Sequence, residues 1–322
     1  MRYRRLGKFG LKVSEIAIGS WMTDVSDQKT QDIAEATIDL AISKGVNFID
    51  CADAYSGGAA ERFLGRILQK YPRKELVLSS KVFFPTGKDA NGRGLSRKHI
   101  FESIEQSLAN MQTTYLDMYF CHRFDHETPL EETLQALSDL VDQGKVLYYG
   151  VSEWTPVQLL EALIIIKEKG LHPISVIQPQ YNIFDRYIEH EMMDVCERHG
   201  VGIVPFSPLS QGLLTGKYRQ GQAIPEGSRA TYQDQIQAML TEENLEKVEV
   251  LINISGRLDT DLASFSLAWA LRKSAISCLI TGATKPEQLE NNLKALAVEI
   301  TPEIEQEIDA LFEFKKFNRK IG

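Results

Sequence analysis

Six polar side chains stand at, or just after, the ends of predicted β-strands, and their types suit proton transfer to a carbonyl oxygen. They are a carboxylate, a phenol, an ammonium group, an imidazole, a hydroxyl and a carboxamide: Asp50, Tyr55, Lys81, His122, Ser152 and Gln178. Each alone has a structural explanation, such as an N-cap for the aspartate or an ion pair for the lysine. Together they form a coherent set for reducing an aldehyde or a ketone.

The tyrosine is the proton donor of this set. A free phenol has a pKa of about 10, which is high for an acid–base group at neutral pH. A nearby ammonium group favours the phenolate, so Lys81 is predicted to lower the pKa of Tyr55, with Asp50 holding Lys81 charged and in place. His122 is predicted to position and polarise the carbonyl. Because no side chain supplies a hydride, the set implies a nicotinamide cofactor.

Short β-branched runs alternate with helical patterns along the chain. Strands are predicted over residues 15–18, 47–50, 76–81, 116–121, 146–151, 174–178, 202–205 and 276–280. Helices are predicted over residues 28–44, 59–69, 96–111, 129–143, 156–169, 189–199 and 285–297. The strands are apolar on both faces, as in parallel sheets covered by helices. Eight such units predict a closed barrel, whose C-terminal strand ends bring catalytic groups to one mouth.

Two segments depart from this repeat. Residues 3–7 and 10–13 predict a small hairpin that caps the bottom of the barrel. The seventh and eighth strands are separated by about seventy residues, where connections are usually far shorter. This connection holds a polar, Gly- and Pro-rich stretch over 220–232 and then two helical stretches, and such insertions usually carry function.

The predicted fold class is therefore α/β, a TIM (β/α)8 barrel with an N-terminal β-hairpin cap. Extra helices are expected in the connection between the seventh and eighth strands and at the C-terminus. The chain shows no interdomain linker, so residues 1–322 are predicted to form one barrel domain.

The charge balance argues against two classes of partner. The 322 residues include 36 Lys and Arg against 44 Asp and Glu, which gives a formal net charge of −8. Such a chain lacks the basic footprint of a nucleic-acid binder and the polybasic character of a protein held on an anionic membrane. No apolar run approaches the roughly 20 residues of a membrane span, so direct membrane insertion is not expected.

Cysteine usage and the N-terminal residues predict a cytoplasmic protein. The four cysteines, at 51, 121, 196 and 278, are far apart and contain no C-x-x-C pair, which favours reduced, buried thiols. The histidines show no metal-ligand spacing, and no metal is predicted. The segment MRYRRLGKFGLKVSEIAIG lacks an apolar core and is not expected to be a signal peptide.

An ordered series of motifs resembles the aldo-keto reductases. The stretch GVNFIDCADAYSGGAAERFLG at residues 45–65 looks like the family's first signature. It is followed in the family's order by SSKV (79–82), CHRFD (121–125), GVSEW (150–154), QPQYN (178–182), FSPLSQGLLTGKY (206–218) and ITGATKPEQLENNL (280–293). The similarity extends from Tyr3 to about Ile300. The motifs SPLSQGLLTGKY, GSRA and TKPEQLENN most resemble the potassium-channel β-subunits and their bacterial relatives.

The resemblance implies an activity and four catalytic roles. Tyr55 matches the family's proton donor, and Lys81, held by Asp50, matches the residue that lowers its pKa. His122 matches the residue that orients the substrate. The implied reaction is the NADPH-dependent reduction of aldehydes and ketones to alcohols, with a small carbonyl compound as substrate.

The resemblance also implies where the cofactor binds. Ser152 and Gln178 match residues that hydrogen-bond the nicotinamide carboxamide, Phe206 matches the aromatic stacked on the ring, and Trp21 matches a residue near the mouth. The pyrophosphate segment is matched by Ser207, Pro208, Leu209, Gln211, Gly212 and Lys217. The closing belt and the adenosine end are matched by Arg229, Gly282, Thr284, Gln288, Asn291 and Asn292.

Two positions depart from the common pattern of the superfamily. Many members carry Arg at the position of Gln288, where it binds the 2′-phosphate of NADPH, so Arg229 or Lys285 would have to meet that phosphate here. The channel-β branch also has Gln, and the resemblance therefore favours NADPH while leaving NADH open. Glu153 stands where Asn or Arg is common, and its carboxylate either repels the pyrophosphate or points to solvent.

The sequence does not settle what the aromatic residues near the six polar side chains do. Five aromatic side chains either line a substrate pocket or pack at loop bases: Phe83, Phe84, Trp154, Tyr181 and Phe184. Arg123 and Asp125, on either side of Phe124, are expected to form an ion pair that shapes the loop after His122.

Two alternative functions remain. One is a cofactor-sensing binding protein, similar to the channel β-subunits, with slow residual reductase activity and a membrane-channel partner. The mammalian-type channel subunits tend to carry Asn at the position of His122, which weighs against it. The other is a Schiff-base aldolase that uses Lys81 as its nucleophile. The resemblance leaves the oligomeric state open between a monomer and a homo-oligomer.

Overall fold

A small antiparallel hairpin precedes the barrel in the computed structural model, which describes residues 1–22 and 25–316. Its strands are β1 (Tyr3–Arg5) and β2 (Lys12–Ser14), which pair directly. The turn between them carries Leu6, whose side chain is fully buried among residues of the barrel interior. The predicted hairpin cap is therefore confirmed.

Eight parallel strands form the central sheet, arranged in chain order with the last strand beside the first. They are β3 (Ile16–Gly19), β4 (Phe48–Asp50), β5 (Val77–Val82), β6 (Leu116–Cys121), β7 (Val146–Ser152), β8 (Val176–Gln178), β9 (Gly202–Ile203) and β10 (Leu279–Thr281). The remaining gap is bridged where the amide of Ser277 donates to the carbonyl of Ile203 at 2.8 Å. The amide of Ile280 likewise donates to the carbonyl of Pro205 at 2.9 Å. The predicted TIM barrel is confirmed.

The two strands at this closure are shorter than predicted. β9 ends at Ile203, since Pro205 has no amide proton to continue the ladder. β10 begins at Leu279, whereas the apolar run begins at Ile276, which makes only an isolated parallel bridge to Ile203. The apolar pattern predicted both segments correctly, but it could not predict which residues would find a hydrogen-bonding neighbour.

Helices cover the outside of the barrel. They are α1 (Gln28–Ser43), α2 (Ala59–Ile67), α3 (Arg97–Asn110), α4 (Leu130–Asp142), α5 (Pro156–Lys169), α6 (Met192–His199), α7 (Asp234–Met239), α8 (Glu242–Arg257), α9 (Leu262–Leu271), α10 (Pro286–Leu293) and α11 (Pro302–Leu311). The side chains of Ser96 and Thr155 cap α3 and α5, as their positions before the apolar pattern indicate. Over the described ranges 1–22 and 25–316, no helix is both long and apolar enough to cross a membrane.

The long connection between β9 and β10 contains three helices, where the sequence predicted two. The additional one, α7, has six residues and follows the polar 220–232 stretch directly. All ten residues of α9 are buried, which explains why this helix is apolar on every side and shows no amphipathic pattern. α11 is the predicted extra helix near the C-terminus.

Apolar side chains fill the barrel interior below the strand ends. This interior cluster contains Leu6, Val13, Ala17, Phe48, Val77, Met118, Phe120, Val176, Val204, Cys278 and Ile280. The interior is therefore a packed core, and the cavity with its polar lining lies at the C-terminal mouth.

Gly65 on α2 tests the close packing of α2 against the end of α3. A Cβ at Gly65 would lie 2.1 Å from the carbonyl oxygen of Asn110 and 2.8 Å from the backbone of Met111. We expect Gly65→Ala to lower the free energy of unfolding by about 1–3 kcal/mol, because backbone must move.

Gly256→Ala is the matched control for this variant. Gly256 also lies in a helix, α8, and a Cβ there would meet nothing within 4 Å. The free energy of unfolding of this variant should rise by up to about 1 kcal/mol, because alanine favours the helix more than glycine does. Equal changes in the free energy of unfolding for both variants, measured by urea unfolding, would contradict the packing argument.

Candidate active site

The polar residues predicted from the sequence lie at the C-terminal ends of neighbouring strands. Asp50, Ser152 and Gln178 are the last residues of β4, β7 and β8, and His122 directly follows β6. Tyr55 begins a short 3-10 turn after β4. Because these parallel strands are neighbours in the barrel, the side chains meet at one mouth.

Lys81 on β5 connects Asp50 to Tyr55. Its side chain is fully buried, and its Nζ donates to Asp50 Oδ2 at 2.6 Å and to the carbonyl oxygen of Cys51 at 2.6 Å. A third hydrogen bond reaches the Tyr55 hydroxyl at 3.2 Å. Each of the three ammonium protons therefore has an acceptor, as a buried charge requires.

This geometry keeps Lys81 charged. Burial by itself lowers the pKa of an ammonium group, but the Asp50 carboxylate and the Tyr55 hydroxyl oppose it. The net pKa of Lys81 lies above its ordinary value, so the side chain is cationic at neutral pH.

Lys81 lowers the pKa of Tyr55, as predicted, but a second effect that the sequence did not indicate opposes it. Burial raises the pKa of the phenol, and this effect exceeds the lowering caused by the Lys81 ammonium. The Asp50 carboxylate adds to the rise. Tyr55 therefore keeps its proton at neutral pH, while its oxygen accepts a hydrogen bond from Lys81.

His122 is buried beside this pair and is neutral. Burial, then Lys81, then Arg123 lower the pKa of its imidazole to about 2. Its ring meets the Tyr55 ring edge-on at a centroid distance of 5.7 Å and the Phe84 ring at 4.8 Å. Its Nδ1 is buried with no hydrogen-bond partner in the part of the chain that the structure describes.

A second set of hydrogen bonds ties Asp50 to the neighbouring strand β5 and to β8 on the opposite side of the barrel. Asp50 Oδ1 accepts from Ser79 Oγ at 2.7 Å and from Gln178 Nε2 at 3.1 Å. Ser152 Oγ donates to the carbonyl of Gln178 at 2.8 Å. One of the two Nε2 protons of Gln178 is thereby donated to Asp50, and the residue lines the cavity.

One cavity of about 1030 Å³ opens at this mouth and extends over the strand ends. Of the residues predicted for the site, Lys81 alone does not line it, because it lies behind Asp50 and Tyr55. The lining includes Trp21, Asp50, Tyr55, His122, Ser152, Gln178, Phe206, Ser207, Pro208, Leu209, Gln211, Gly212, Lys217, Arg229, Gly282, Thr284, Gln288, Asn291 and Asn292. Residues from all parts of the chain thus share one cavity, large enough for a dinucleotide-sized ligand together with a small substrate.

The segment after β9 forms a cradle of unusual backbone conformation. Ser207, Ser210 and Gln211 have positive φ angles of 51°, 47° and 54°, and Gly212 has 103°. Backbone turns of this kind present amide groups that bind anions. A Cβ on Gly212 would lie 3.1 Å from the end of the Lys217 side chain, so glycine leaves room for that ammonium beside the cradle.

The two positions that depart from the family pattern are both engaged within the protein. Gln288 Oε1 accepts from the amide of Thr284 at 2.8 Å, which orients the carboxamide at the start of α10. Glu153 has a positive φ of 57°, and its Oε1 accepts from the amide of Gln180 at 2.6 Å and from the Tyr187 hydroxyl at 3.2 Å. The Glu153 carboxylate is therefore held by the loop after β8.

One expectation about the surrounding side chains is wrong, and one alternative that the sequence left open is resolved. Arg123 does not pair with Asp125, whose carboxylate accepts instead from the amide of Leu95 at 2.7 Å and from Thr128 Oγ1 at 2.8 Å. Trp154 and Tyr181 are buried away from the cavity, and of the five aromatic candidates only Phe84 lines it. Sequence proximity to a site residue does not predict which way a side chain turns.

The sequence analysis missed several lining residues and one buried carboxyl group. Gly227, Ser228 and Tyr232 line the cavity from the polar 220–232 stretch, whose composition was the available signal. Asp53 is buried with no hydrogen-bond partner for either carboxylate oxygen among residues 1–22 and 25–316. Burial, and then the nearby Glu61, raise the pKa of Asp53 to about 7.

Comparison with known proteins gives a consistent assignment. A sequence model described as the Aldo/keto reductase family matches residues 15–313. A protein of Oryza sativa subsp. japonica is 38% identical across 98% of this chain and 98% of its own length. A protein of Arabidopsis thaliana is 37% identical with the same coverage of both chains. Both relatives are named "Probable voltage-gated potassium channel subunit beta".

The buried neutral state of His122 predicts how its removal changes stability with pH. An unfolded histidine takes up a proton below about pH 6.5, whereas folded His122 does so only near pH 2. His122 therefore contributes stability above its unfolded pKa, and that contribution is lost as the pH falls. Below pH 6.5, the free energy of unfolding of the wild-type protein should fall by up to about 1.4 kcal/mol per pH unit relative to that of His122→Asn.

Urea unfolding of both proteins between pH 4.5 and pH 8 measures this difference. Other titrating groups, Asp53 among them, are present in both proteins and cancel. Parallel curves of unfolding free energy against pH would mean that His122 titrates normally in the folded state.

Proposed function

The chain belongs to the aldo/keto reductase family, and on that premise we propose that it reduces aldehydes or ketones to alcohols with NADPH. The observation that carries the proposal is the buried Lys81 ammonium, which joins Asp50 to the Tyr55 hydroxyl at the floor of the cavity. This arrangement suits proton delivery to an oxygen that becomes negatively charged.

Tyr55 is the proposed proton donor. Its oxygen accepts a hydrogen bond from Lys81, so its own proton is available to a carbonyl oxygen in the cavity. The hydride would come from a reduced nicotinamide held in the cavity, and Tyr55 would donate its phenol proton to the carbonyl oxygen as that oxygen becomes an alkoxide. The phenolate left behind is stabilised at once by the Lys81 ammonium, whose charge is held in place by Asp50.

His122 is the proposed positioning group for the substrate. Because its imidazole is neutral, it acts as a hydrogen-bonding group and adds no second positive charge beside Lys81. Its edge-on contact with Tyr55 places it beside the proton donor. Together the two rings define where a carbonyl oxygen is held.

The cavity beyond these residues fits a nicotinamide dinucleotide. Ser152 and Gln178 would hold the carboxamide, and half-buried Phe206 would stack on the ring. The positive-φ cradle around Gln211 and the Lys217 ammonium would hold the pyrophosphate. Gly282, Thr284, Gln288, Asn291 and Asn292, at the start of α10 and within it, would meet the adenosine end.

We favour NADPH over NADH because cations stand near the adenosine end. Arg229 and Lys285 both line the cavity, and Arg229 lies over the Trp21 ring at 4.5 Å. Either can meet a 2′-phosphate in place of the arginine that many family members carry at the position of Gln288.

An aldolase mechanism through Lys81 fits the geometry poorly. A Schiff base needs a neutral amine, but Lys81 is held charged with all three protons donated to Asp50, Cys51 and Tyr55. It also lies behind the cavity lining, where no carbonyl carbon can reach it.

A cofactor-sensing binding role is the second candidate, and the names of the two relatives favour it. In that role the protein would bind the cofactor, turn over carbonyl compounds slowly and attach to a membrane-channel partner. A membrane protein that co-purifies with the chain from its own cells would support this candidate. Fast turnover by the isolated protein would count against it.

We place the protein in the cytoplasm, since its four cysteines are all free and buried. We also propose that residues 1–322 act as one barrel domain. Size-exclusion chromatography with light scattering decides between the monomer and the homo-oligomer that the sequence left open.

Removal of the Tyr55 hydroxyl tests the proposed mechanism. Tyr55→Phe should lower kcat for aldehyde reduction at least about 100-fold, the range of general acid catalysis, while NADPH still quenches tryptophan fluorescence. Tyr71→Phe is the matched control, because it removes a hydroxyl that bonds Asp39 outside the cavity. Undiminished kcat in Tyr55→Phe would refute the role assigned to this residue.

Gln288→Arg tests the cofactor assignment. The new guanidinium should tighten NADPH binding about tenfold and leave NADH binding nearly unchanged, since a charge-assisted bond forms only to the 2′-phosphate. Gln106→Arg, on α3, adds the same charge away from the cavity. If neither dinucleotide binds the wild-type protein in a fluorescence titration, the proposed reductase function fails.

A further inference from the structure

We propose that Arg123 forms an anion subsite in the substrate half of the cavity, so that the preferred substrates are aldehydes or ketones bearing a carboxylate. This inference rests on the proposed function and names its substrate class. Arg123 follows His122 directly, and both line the cavity. A carbonyl held by Tyr55 and His122 therefore lies next to a guanidinium group.

Some N–H groups of the Arg123 guanidinium have no acceptor among the described residues. Its Nη1 donates to the carbonyl of His122 at 2.5 Å and lies 3.5 Å from Ser152 Oγ. Its Nε and Nη2 donate to no residue within 1–22 or 25–316. Its carbon lies 5.6 Å from the centre of the Phe84 ring, which also lines the cavity. Two donors of a fixed planar fork are thus left for a ligand.

No carboxylate among the described residues forms an ion pair with Arg123. Among the described residues, none of the ion pairs within 4.0 Å involves it. Glu153, which follows the neighbouring strand β7 and also lines the cavity, is bound by the amide of Gln180 and the hydroxyl of Tyr187. An uncompensated arginine beside a reaction site attracts an anion from the solvent or the substrate.

The place of Arg123 in the barrel separates it from the cofactor's phosphates. Lys217 and Arg229 follow β9 and Lys285 follows β10, whereas Arg123 follows β6. In the eight-stranded barrel, β6 lies three strands from β9 and four strands, the greatest separation possible, from β10. The cofactor's phosphates already have cations on their own side, so Arg123 is left for the substrate.

The geometry favours a carboxylate as the anion. A planar guanidinium with two adjacent free donors matches the two oxygens of a carboxylate. The His122 carbonyl holds one Nη in place, so the fork is oriented before the ligand arrives. Since Arg123 is next to His122, the carboxylate has to lie a short distance from the carbonyl.

Matched pairs of substrates test this subsite. We would measure kcat/KM for 3-formylbenzoate and 4-formylbenzoate, each against its methyl ester, in wild type, Arg123→Gln and Arg123→Lys. The ratio of acid to ester should fall at least about tenfold in Arg123→Gln for one of the two spacings. Arg123→Lys should keep part of the preference, because it keeps the charge but not the fork.

The control variant is Arg198→Gln, which removes the same charge from the exposed end of α6 and should keep the ratio of the wild type. Benzoate binding, measured by calorimetry, is a second readout that needs no turnover and should weaken at least about tenfold in Arg123→Gln. If Arg123→Gln fails to fold, benzoate binding can be measured in Arg123→Lys instead, so the inference can still be tested.

Three outcomes would overturn the proposal: no acid-to-ester preference that depends on Arg123, equal losses for acid and ester, or benzoate binding that is the same in wild type and variant. A wild-type protein that binds benzoate through Arg123 but reduces no carbonyl compound would instead overturn the proposed function. The two failures are therefore distinguishable.

Discussion

The Lys81 ammonium is completely buried, and the rest of the site depends on how its charge is balanced. A lone charge at such a depth would cost several kcal/mol, so the barrel has to bring an acid and further acceptors to it. Asp50 on the neighbouring strand supplies the acid, and the Cys51 carbonyl and the Tyr55 hydroxyl complete the set. The same requirement that stabilises the charge therefore fixes the phenol at the floor of the cavity.

This ion pair also links distant parts of the chain. Asp50 accepts a hydrogen bond from Gln178, which lies 128 residues away, and Gln178 in turn is bound through its carbonyl to Ser152. Below these groups the barrel interior is filled by apolar side chains such as Phe48, Met118 and Phe120. The packed lower half and the hydrogen-bonded mouth thus divide the barrel between stability and chemistry.

The cavity carries a charge pattern opposite to that of the whole chain. The protein has a net charge of −8, yet the cavity lining holds four cations, Arg123, Lys217, Arg229 and Lys285, against three carboxylates, Asp50, Glu153 and Glu287. Three of these cations follow β9 and β10, and one stands across the mouth beside His122. Such a distribution favours an anionic cofactor on one side and is the basis for assigning an anionic substrate to the other.

The order of eight strands, the hairpin and the residues at the strand ends could be predicted from the sequence, because apolar periodicity and local capping depend on neighbours along the chain. The sequence also indicated that Asp50, Tyr55, Lys81 and His122 act together, through their types and through the family resemblance. Only the tertiary structure decided the sign of the Tyr55 pKa shift, since burial outweighs the Lys81 charge. It likewise decided that Asp125 binds Leu95 and Thr128 while Arg123 faces the cavity. Burial and side-chain direction arise from contacts between distant segments, and no local pattern in the sequence records them.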